Sequence, residues 1–209
     1  APAYAGIPLT HRRFTSTLTF VTGHEDPTKG HTRVDWAALA RDKGTLVFFM
    51  GVKNLSRITR RLMDHGKSVD TPIALVQWGT TTKQATVTGT LGTIVEAVED
   101  AGITAPAIIV MGDVVRLRKT MRWFEDRPLL GKTIIVTRAR EQASDMVRIL
   151  TDRGASCLEY PTIDIRPPDD LGPLDDAISK LAGYDWIVFT SVNGVKYFFD
   201  RLFQKGLDG

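Results

Sequence analysis

The chain has 209 residues, of which 43% are hydrophobic and 24% charged, and its formal net charge is +3. This composition is typical of a globular protein and excludes a fibrous or disordered chain, while the length suffices for one large or two small domains. The basic residues are scattered, which argues against the clustered footprint of a nucleic-acid-binding protein.

Cys157 is the single cysteine, which excludes an intramolecular disulfide and favours a reducing compartment, so we expect a cytoplasmic protein. No apolar run approaches the roughly 20 residues that span a bilayer, and the start of the chain lacks a signal-peptide pattern, so no membrane partner is expected. The chain begins at Ala1 without methionine and stops at Gly209 in what reads as the middle of a fold. We therefore expect both ends to be cuts in a longer protein.

Short apolar runs rich in β-branched residues alternate with stretches of helical periodicity, which predicts an α/β fold. The predicted strands, in chain order, are Thr17–Thr22, Thr45–Met50, Ile73–Trp78, Gln84–Thr88, Ala107–Gly112, Thr133–Thr137, Ser156–Tyr160 and Trp186–Thr190. Between them, apolar helix faces are marked by Leu55, Ile58, Leu62 and Met63, by Ile94 and Val98, by Met146, Val147, Ile149 and Leu150, and by Val195, Phe198, Phe199 and Leu202. Glycines at 66, 154 and 206 are expected to end three of these helices.

The segment Arg116–Lys132 is crowded with charge and is interrupted by Pro128, which favours a linker. The run that starts at Gly131 then reads as the first strand of a new domain. We accordingly predict two domains, residues 1–127 and residues 128–209.

Several motifs of the first domain occur in a fixed order. They are Ala5-Gly6-Ile7-Pro8-Leu9-Thr10-His11-Arg12, Val21-Thr22-Gly23-His24, Thr45-Leu46-Val47-Phe48-Phe49-Met50-Gly51, Thr71-Pro72-Ile73-Ala74-Leu75-Val76, Gly89-Thr90-Leu91 and Pro106-Ala107-Ile108-Ile109-Val110-Met111-Gly112. This series resembles the uroporphyrinogen-III C-methyltransferases, which transfer two methyl groups from S-adenosyl-L-methionine to uroporphyrinogen III. The resemblance implies the C-terminal α/β domain of a tetrapyrrole methylase, with S-adenosyl-L-methionine as cofactor and a homodimer formed through this part.

The cofactor residues are expected at strand ends. Met50 ends a buried strand, where its thioether would pack on an adenine face; a core methionine is the alternative. By resemblance, Met50 and Gly79 match adenosine-contacting positions, and Ala74 lies on the neighbouring strand. The catalytic groups of that family would lie upstream of Ala1, so no catalytic residue is assigned.

Uroporphyrinogen III carries eight carboxylates, so its site requires arginine, lysine or backbone N–H donors. Thr10, His11 and Arg12 are candidate substrate ligands. A second basic run, with members Arg116, Arg118, Lys119 and Arg122, is interpreted as a solvated face. The cluster His24, Glu25, Asp26 and His31 is interpreted as a solvated loop, and no metal site is expected.

A second set of motifs follows residue 128. Leu130-Gly131-Lys132, Val136-Thr137-Arg138, Tyr160-Pro161-Thr162-Ile163 and Phe189-Thr190-Ser191-Val192-Asn193-Gly194-Val195 are similar to the uroporphyrinogen-III synthases. The resemblance implies the start of a fold of two α/β domains around a cleft, which closes hydroxymethylbilane into a macrocycle without any cofactor. The chain would cross out of the first α/β domain near Tyr160-Pro161.

The synthase resemblance also implies substrate-binding residues on both sides of the cleft. Thr137 and Arg138 would face it from one side and Thr190, Ser191 and Asn193 from the other. On the residues alone, Ser191 or Asn193 at the start of a helix is equally consistent with simple N-capping, and the two roles are compatible.

The two resemblances meet at one metabolite, because uroporphyrinogen III is the synthase product and the methyltransferase substrate. The sequence is therefore interpreted as a fragment of a bifunctional enzyme that makes precorrin-2, on the way to sirohaem or cobalamin-type corrinoids. Three alternatives stay open: a truncated non-catalytic α/β dimerisation or binding module, a pair with one degenerate domain, and a stand-alone nucleotide-binding protein. The sequence contains no glycine-rich phosphate-binding motif, which argues against the nucleotide-binding alternative.

Overall fold

The computed structural model describes residues 1–23, 33–138 and 140–208, without the side chains of residues 140–142. The chain forms two compact units, Ala1–Tyr160 and Pro161–Gly209, and each is described by itself. The domain boundary near residue 128, which was placed between the charged segment and the strand that follows it, stays a prediction.

A five-stranded mixed sheet forms the centre of the first unit. Its strands are β1 (Leu18–Thr22), β2 (Thr45–Phe49), β3 (Pro72–Gln77), β4 (Ala85–Thr90) and β5 (Ala107–Met111), in the order β1-β2-β5-β3-β4. β1 pairs with β2 in parallel, whereas β5 is antiparallel to both β2 and β3, and β4 is antiparallel to β3. Strands β1, β2 and β3 therefore run in the same direction.

Four helices belong to this part of the chain: α1 (Trp36–Arg41), α2 (Leu55–Asp64), α3 (Ile94–Asp100) and α4 (Arg118–Met121). Short 3₁₀ turns precede α2 at Val52–Asn54 and α4 at Asp113–Leu117. Helices α1, α2 and α3 contribute to a core with the large inward side chains of the sheet, which include Leu46, Phe48, Ile73, Leu75, Ile109 and Met111.

The opposite sheet face is lined by smaller side chains, since neighbouring residues of a strand point to opposite faces. Val47, Ala74, Val76 and Val110 lie there, in a second core cluster with Ala5, Ile7, Val114 and Val115. The N-terminal segment and the 3₁₀ turn before α4 thus cover this face. Burial of both faces explains why β2 and β3 are apolar almost throughout.

The N-terminal segment needs glycine at position 6. Gly6 has φ +72°, and a Cβ placed on it would lie 2.5 Å from the carbonyl carbon of Met121. Such a contact is impossible for any side chain, so the segment rests directly on the backbone after α4.

A smaller parallel sheet is formed by the last part of the first unit. Strand β6 (Thr133–Val136) pairs with β7 (Ser156–Glu159), and helix α5 (Arg140–Asp152) connects them. Gly154 ends this connection with φ +101°, the left-handed conformation expected of a helix-terminating glycine. Seven of the eight predicted strands are thus confirmed, with ends that differ by one or two residues.

The segment Arg116–Lys132 is packed, so the prediction of a linker was wrong. Phe124 is 4% exposed, and Glu125 accepts hydrogen bonds from Gln84 and Thr86 of the β4 region. Tyr4, Trp123 and Phe124 form a cluster of ring contacts at 4.9–5.6 Å between centroids. The charged residues that suggested a solvated linker instead form hydrogen bonds and ion pairs within a folded segment.

The second unit contains α6 (Gly172–Ser179) and α7 (Val192–Gln204), whose buried residues are Ile178 and Leu202. Trp186–Thr190 was predicted to be a strand, and this prediction was wrong: the segment has no regular secondary structure, and Trp186 is 85% exposed. A strand requires hydrogen bonds to a neighbour, and no strand is present among the described residues of this unit.

The described helices include none that is long and apolar enough to cross a membrane.

An ion cluster joins the two helices of the second unit. Arg201 donates two hydrogen bonds of 2.7 Å to the carboxylate of Asp175, and the Lys205 ammonium lies 2.8 Å from it. Hydrogen bonds from Arg201 and then Lys205 hold the pKa of Asp175 well below its ordinary value of 3.8. The carboxylate therefore contributes stability that is present above pH 3.8 and is lost as the pH falls through the depressed pKa.

We predict that Asp175→Asn lowers the stability of α6 and α7 at neutral pH. Because the lost contribution belongs to the ionised carboxylate, the difference from the wild type should shrink below about pH 4. Amide hydrogen exchange of α7 between pH 6 and pH 2.5 measures this difference, and Asp176→Asn is the matched control. An equal difference at both ends of the pH range would contradict the assignment.

Candidate functional site

The carboxyl ends of β1, β2 and β3 meet at one edge of the large sheet, because these strands share a direction. Gln77 of β3 is level with Ala107 of β5, and extending the β2–β5 register by two residues places Met50 level with Ala107 as well. Met50 and Gln77 thus flank one strand, about 10 Å apart at the usual strand spacing. The predicted cofactor residues Met50 and Gly79 therefore belong to the same edge.

The backbone at this edge is strained. Met50 has φ +53°, Trp78 φ +47° and Thr80 φ +74°, and these are the non-glycine residues with positive φ in the described chain. Each costs on the order of 1–3 kcal/mol and persists only where the surroundings enforce it, a situation common at functional sites. Sequence reasoning missed Trp78 and Thr80, because no residue type or spacing signals a left-handed tryptophan or threonine.

Two glycines bring the loops after β1 and β2 into backbone contact. The Gly23 N–H donates a 2.7 Å hydrogen bond to the Phe49 carbonyl, and a Cβ on Gly23 would lie 2.6 Å from the Gly51 Cα. The side-chain amide of Asn54 donates to the Gly23 carbonyl at 2.8 Å. These contacts fix the backbone on both sides of Met50.

Gly79 is also a point of close approach. A Cβ placed there would lie 2.3 Å from the Cβ of Ala1, so the first residue of the chain occupies the space that a side chain would take. The neighbouring surface is apolar: Phe20 and Phe49 stack at 5.7 Å, and Phe20, Phe49, Met50 and Trp78 are 45–64% exposed. We call these four side chains the apolar edge.

The other predicted residues of the methyltransferase part lie elsewhere. Ala74 is fully buried in the small-residue core cluster and presents no surface. Thr10, His11 and Arg12 belong to a turn before β1 in which His11 pairs with Thr15. The structure therefore places this turn before the amino end of β1 and does not bring it together with Met50 and Gly79.

A partly buried ion pair supports the strained loop at Trp78–Thr80. Gln84 accepts the Thr80 N–H at 2.8 Å and donates to the Glu125 carboxylate at 2.8 Å. Arg118 pairs with the same carboxylate and donates to the Ala5 carbonyl at 2.6 Å. Glu125 thus links the loop, β4 and the N-terminal segment. Its partners Gln84 and Thr86 are 41 and 39 residues away, so the local sequence gave no signal.

The basic run before and within α4 borders a groove of about 730 Å³ with Pro72 and Thr88–Thr90. It lies where β3 begins, at the opposite edge from Met50. Its arginines are paired: Arg116 with Asp113, Arg118 with Glu125 and Arg122 with Asp126. Arg116, Lys119 and Arg122 are exposed, as expected of a solvated face, and the acidic partners largely neutralise the charge of the run.

The predicted synthase residues are distributed over both units. Thr137 and Arg138 are exposed directly after β6. In the second unit Ser191 caps α7 by accepting the Gly194 N–H at 3.1 Å, as the capping alternative expected. Thr190 is exposed and Asn193 half-buried beside this cap. No acidic residue lies in the first turn of α7, so its positive end is open to an anion.

The loop with His24, Glu25, Asp26 and His31 lies outside the described residues. Among those that are described, no three histidine, cysteine, aspartate or glutamate side chains are grouped to hold a metal ion.

Comparison with known proteins finds family matches for two segments of the chain. Residues 1–95 match the family of tetrapyrrole (corrin/porphyrin) methylases, and residues 144–209 match the family described as uroporphyrinogen-III synthase HemD. Residues 1–95 and 144–209 are thus similar to these two families, and the chain has an α/β fold.

Individual relatives match one or both parts. A uroporphyrinogen-III C-methyltransferase of Bacillus subtilis is 40% identical over 100% of the chain, and the porphyrin biosynthesis protein HemD of Ruminiclostridium josui is 38% identical over 100%. An S-adenosyl-L-methionine-dependent uroporphyrinogen III methyltransferase of Methanosarcina barkeri is 53% identical over 56% of the chain and 46% of its own length. The chain spans 42% and 41% of the first two relatives.

We predict that Glu125→Ala destabilises the first unit by roughly 3 kcal/mol, because it leaves the Arg118 guanidinium without its carboxylate in a partly buried position. The matched control is Asp126→Ala, whose ion pair with Arg122 is 55% exposed on both sides and should contribute less than about 1 kcal/mol. Urea unfolding measures both, and hydrogen exchange at the Thr80 amide should accelerate in Glu125→Ala alone. Equal losses in the two variants would show that the network does not support the loop.

Proposed function

We propose that the chain is the middle part of a bifunctional tetrapyrrole-biosynthesis enzyme. Residues 1–127 would form the C-terminal half of an S-adenosyl-L-methionine-dependent uroporphyrinogen-III C-methyltransferase that makes precorrin-2. Residues 128–209 would form the N-terminal part of a uroporphyrinogen-III synthase. The observation that carries the methyltransferase proposal is the strained sheet edge, where Met50 and Gly79 lie within the part that matches the methylase family.

The residues of this edge suit an adenosine group. Met50 presents a thioether that is 64% exposed on a fixed backbone, and Gly79 allows a neighbouring group to approach the main chain without a side chain between them. Ala74, being fully buried, has no surface to offer. When bound, S-adenosyl-L-methionine supplies an electrophilic methyl group, and the role of Met50 and Gly79 would be to hold its adenosine part in place.

The apolar edge supports a half-site rather than a whole one. Phe20, Phe49, Met50 and Trp78 form a hydrophobic surface around the proposed cofactor position, and such surfaces commonly contact another domain or subunit. We propose that the upstream part of the methyltransferase packs here and completes the cofactor site. A homodimer through the methyltransferase part belongs to the same proposal.

Calorimetric titration with S-adenosylhomocysteine tests this half-site. We expect tight binding to a chain extended upstream by the full cofactor domain, and weak or no binding to residues 1–209. Gly79→Trp in the extended chain should weaken binding more than about tenfold, since the indole would fill the point of close approach. Gly183→Trp, at a glycine whose Cβ would meet nothing within 4 Å, is the control.

Absence of binding by the extended wild-type chain would refute the methyltransferase proposal. It would favour the alternative, a non-catalytic α/β dimerisation or binding module, which a dimer detected by light scattering without cofactor affinity would support. Tight binding by residues 1–209 alone would refute the half-site.

The synthase proposal assigns residues that bind substrate carboxylates to each of the two units. Arg138 carries a guanidinium suited to a propionate or acetate group, and the first turn of α7 offers backbone N–H groups beside Thr190, Ser191 and Asn193. Thr137 lies next to Arg138. The reaction would close hydroxymethylbilane to uroporphyrinogen III without a cofactor, and these residues would bind and orient the carboxylates.

In a protein extended to complete the synthase, we predict that Arg138→Ala raises KM for hydroxymethylbilane about tenfold and leaves kcat nearly unchanged, because it removes a ground-state carboxylate contact. Arg148→Ala is the control, since Arg148 is 66% exposed and pairs with Asp145. Equal kinetics for the two variants would rule out the proposed role of Arg138.

A further inference from the structure

Helix α2 has one exposed face on which cations predominate. Leu55, Ile58, Thr59 and Leu62 are buried on the opposite face. The exposed side chains, together with the 3₁₀ turn before the helix, line a recess of about 430 Å³ whose members are Lys53, Asn54, Ser56, Arg57, Arg60, Arg61 and Asp64. We call it the α2 recess.

The cations of the α2 recess lack acidic partners among the residues that the structure describes. Within the described part of the chain, Lys53, Arg57, Arg60 and Arg61 have no carboxylate within 4.0 Å, although Asp64 lies on the same helix. The groove at α4 offers the contrast, because each of its three arginines has an acidic partner. The α2 recess is therefore the better candidate for an external anion.

This arrangement of like charges destabilises helix α2. Arg57 is three and four residues from Arg60 and Arg61, a spacing at which like charges repel by a few tenths of a kcal/mol per pair. The first turn of α2 holds no acidic residue, and no side chain caps it, so Lys53 and Arg57 add positive charge at the positive end of the helix dipole. A bound polyanion would relieve both effects.

The recess begins beside the proposed cofactor edge. Lys53 follows Met50 by three residues, so their Cα atoms are within about 11 Å of each other along the chain. Three guanidinium groups on adjacent turns suit a ligand with several carboxylates, because each can bind one carboxylate in a bidentate way. A ligand with a single carboxylate would engage one of them.

We propose that the α2 recess binds the carboxylate side chains at one rim of a polycarboxylate tetrapyrrole. This inference rests on the methyltransferase function proposed above and assigns a substrate-binding role to Lys53, Arg57, Arg60 and Arg61. It also places substrate binding next to Met50 rather than at the Thr10–Arg12 turn.

Fluorescence titration of residues 1–209 with uroporphyrin, which carries eight carboxylates, tests the recess directly. The triple variant Arg57→Gln, Arg60→Gln and Arg61→Gln should bind uroporphyrin at least about tenfold more weakly than the wild type. The matched control removes the same formal charge from the α4 groove through Arg116→Gln, Lys119→Gln and Arg122→Gln, and it should change the affinity less than threefold. Coproporphyrin, with four carboxylates, should bind more weakly than uroporphyrin.

Three results would overturn the proposal: no uroporphyrin binding by the wild type, equal weakening in the two triple variants, or citrate binding as tight as uroporphyrin binding. Titration of the upstream-extended chain with S-adenosylhomocysteine distinguishes failure of the recess from failure of the methyltransferase proposal. Unchanged porphyrin affinity in the α2 variant, with cofactor binding intact, refutes the recess alone. Absence of cofactor binding from the extended wild type and both extended variants refutes the methyltransferase function instead.

Discussion

The ion pair between Arg118 and Glu125 is the interaction on which the first unit depends. Side chains 12% and 16% exposed retain their charges there because each also has hydrogen-bond partners: Glu125 accepts from Gln84 and Thr86, and Arg118 donates to the Ala5 carbonyl. One carboxylate thus joins β4, the segment after α4 and the N-terminal segment. Through Gln84 it also satisfies the N–H of Thr80, a left-handed residue at the proposed cofactor edge.

Periodicity was a reliable guide wherever burial decided the structure. The strands of the large sheet and helices α2 and α3 followed from apolar spacing, because their buried side chains pack into the core clusters. Helix α5 also forms as predicted, but Met146 and Ile149 of its apolar face are 45% and 47% exposed. The same signal failed at Trp186–Thr190, since an apolar run can form a strand only when another strand pairs with it. The family resemblance identified Met50 and Gly79, and periodicity added that both follow buried strands.

The remaining features depended on contacts that the local sequence does not encode. Glu125 was placed in a charged linker because its neighbours in sequence are charged, whereas its partners are Gln84, Thr86 and Arg118. Positive φ at Trp78 and Thr80 occurs in the loop whose Thr80 N–H donates to Gln84 of the same network. The α2 recess was not predicted either: Arg57, Arg60 and Arg61 lie at helical spacing in the sequence, but their lack of acidic partners among the described residues required the structure.

The contact between Ala1 and Gly79 has a practical consequence for protein production. Because the Cβ of Ala1 lies where a Gly79 side chain would be, any residues joined to the amino terminus begin at the proposed adenosine position. An affinity tag fused directly to residue 1 would start beside the surface proposed for the adenosine group, so binding assays require that such a tag be removed first.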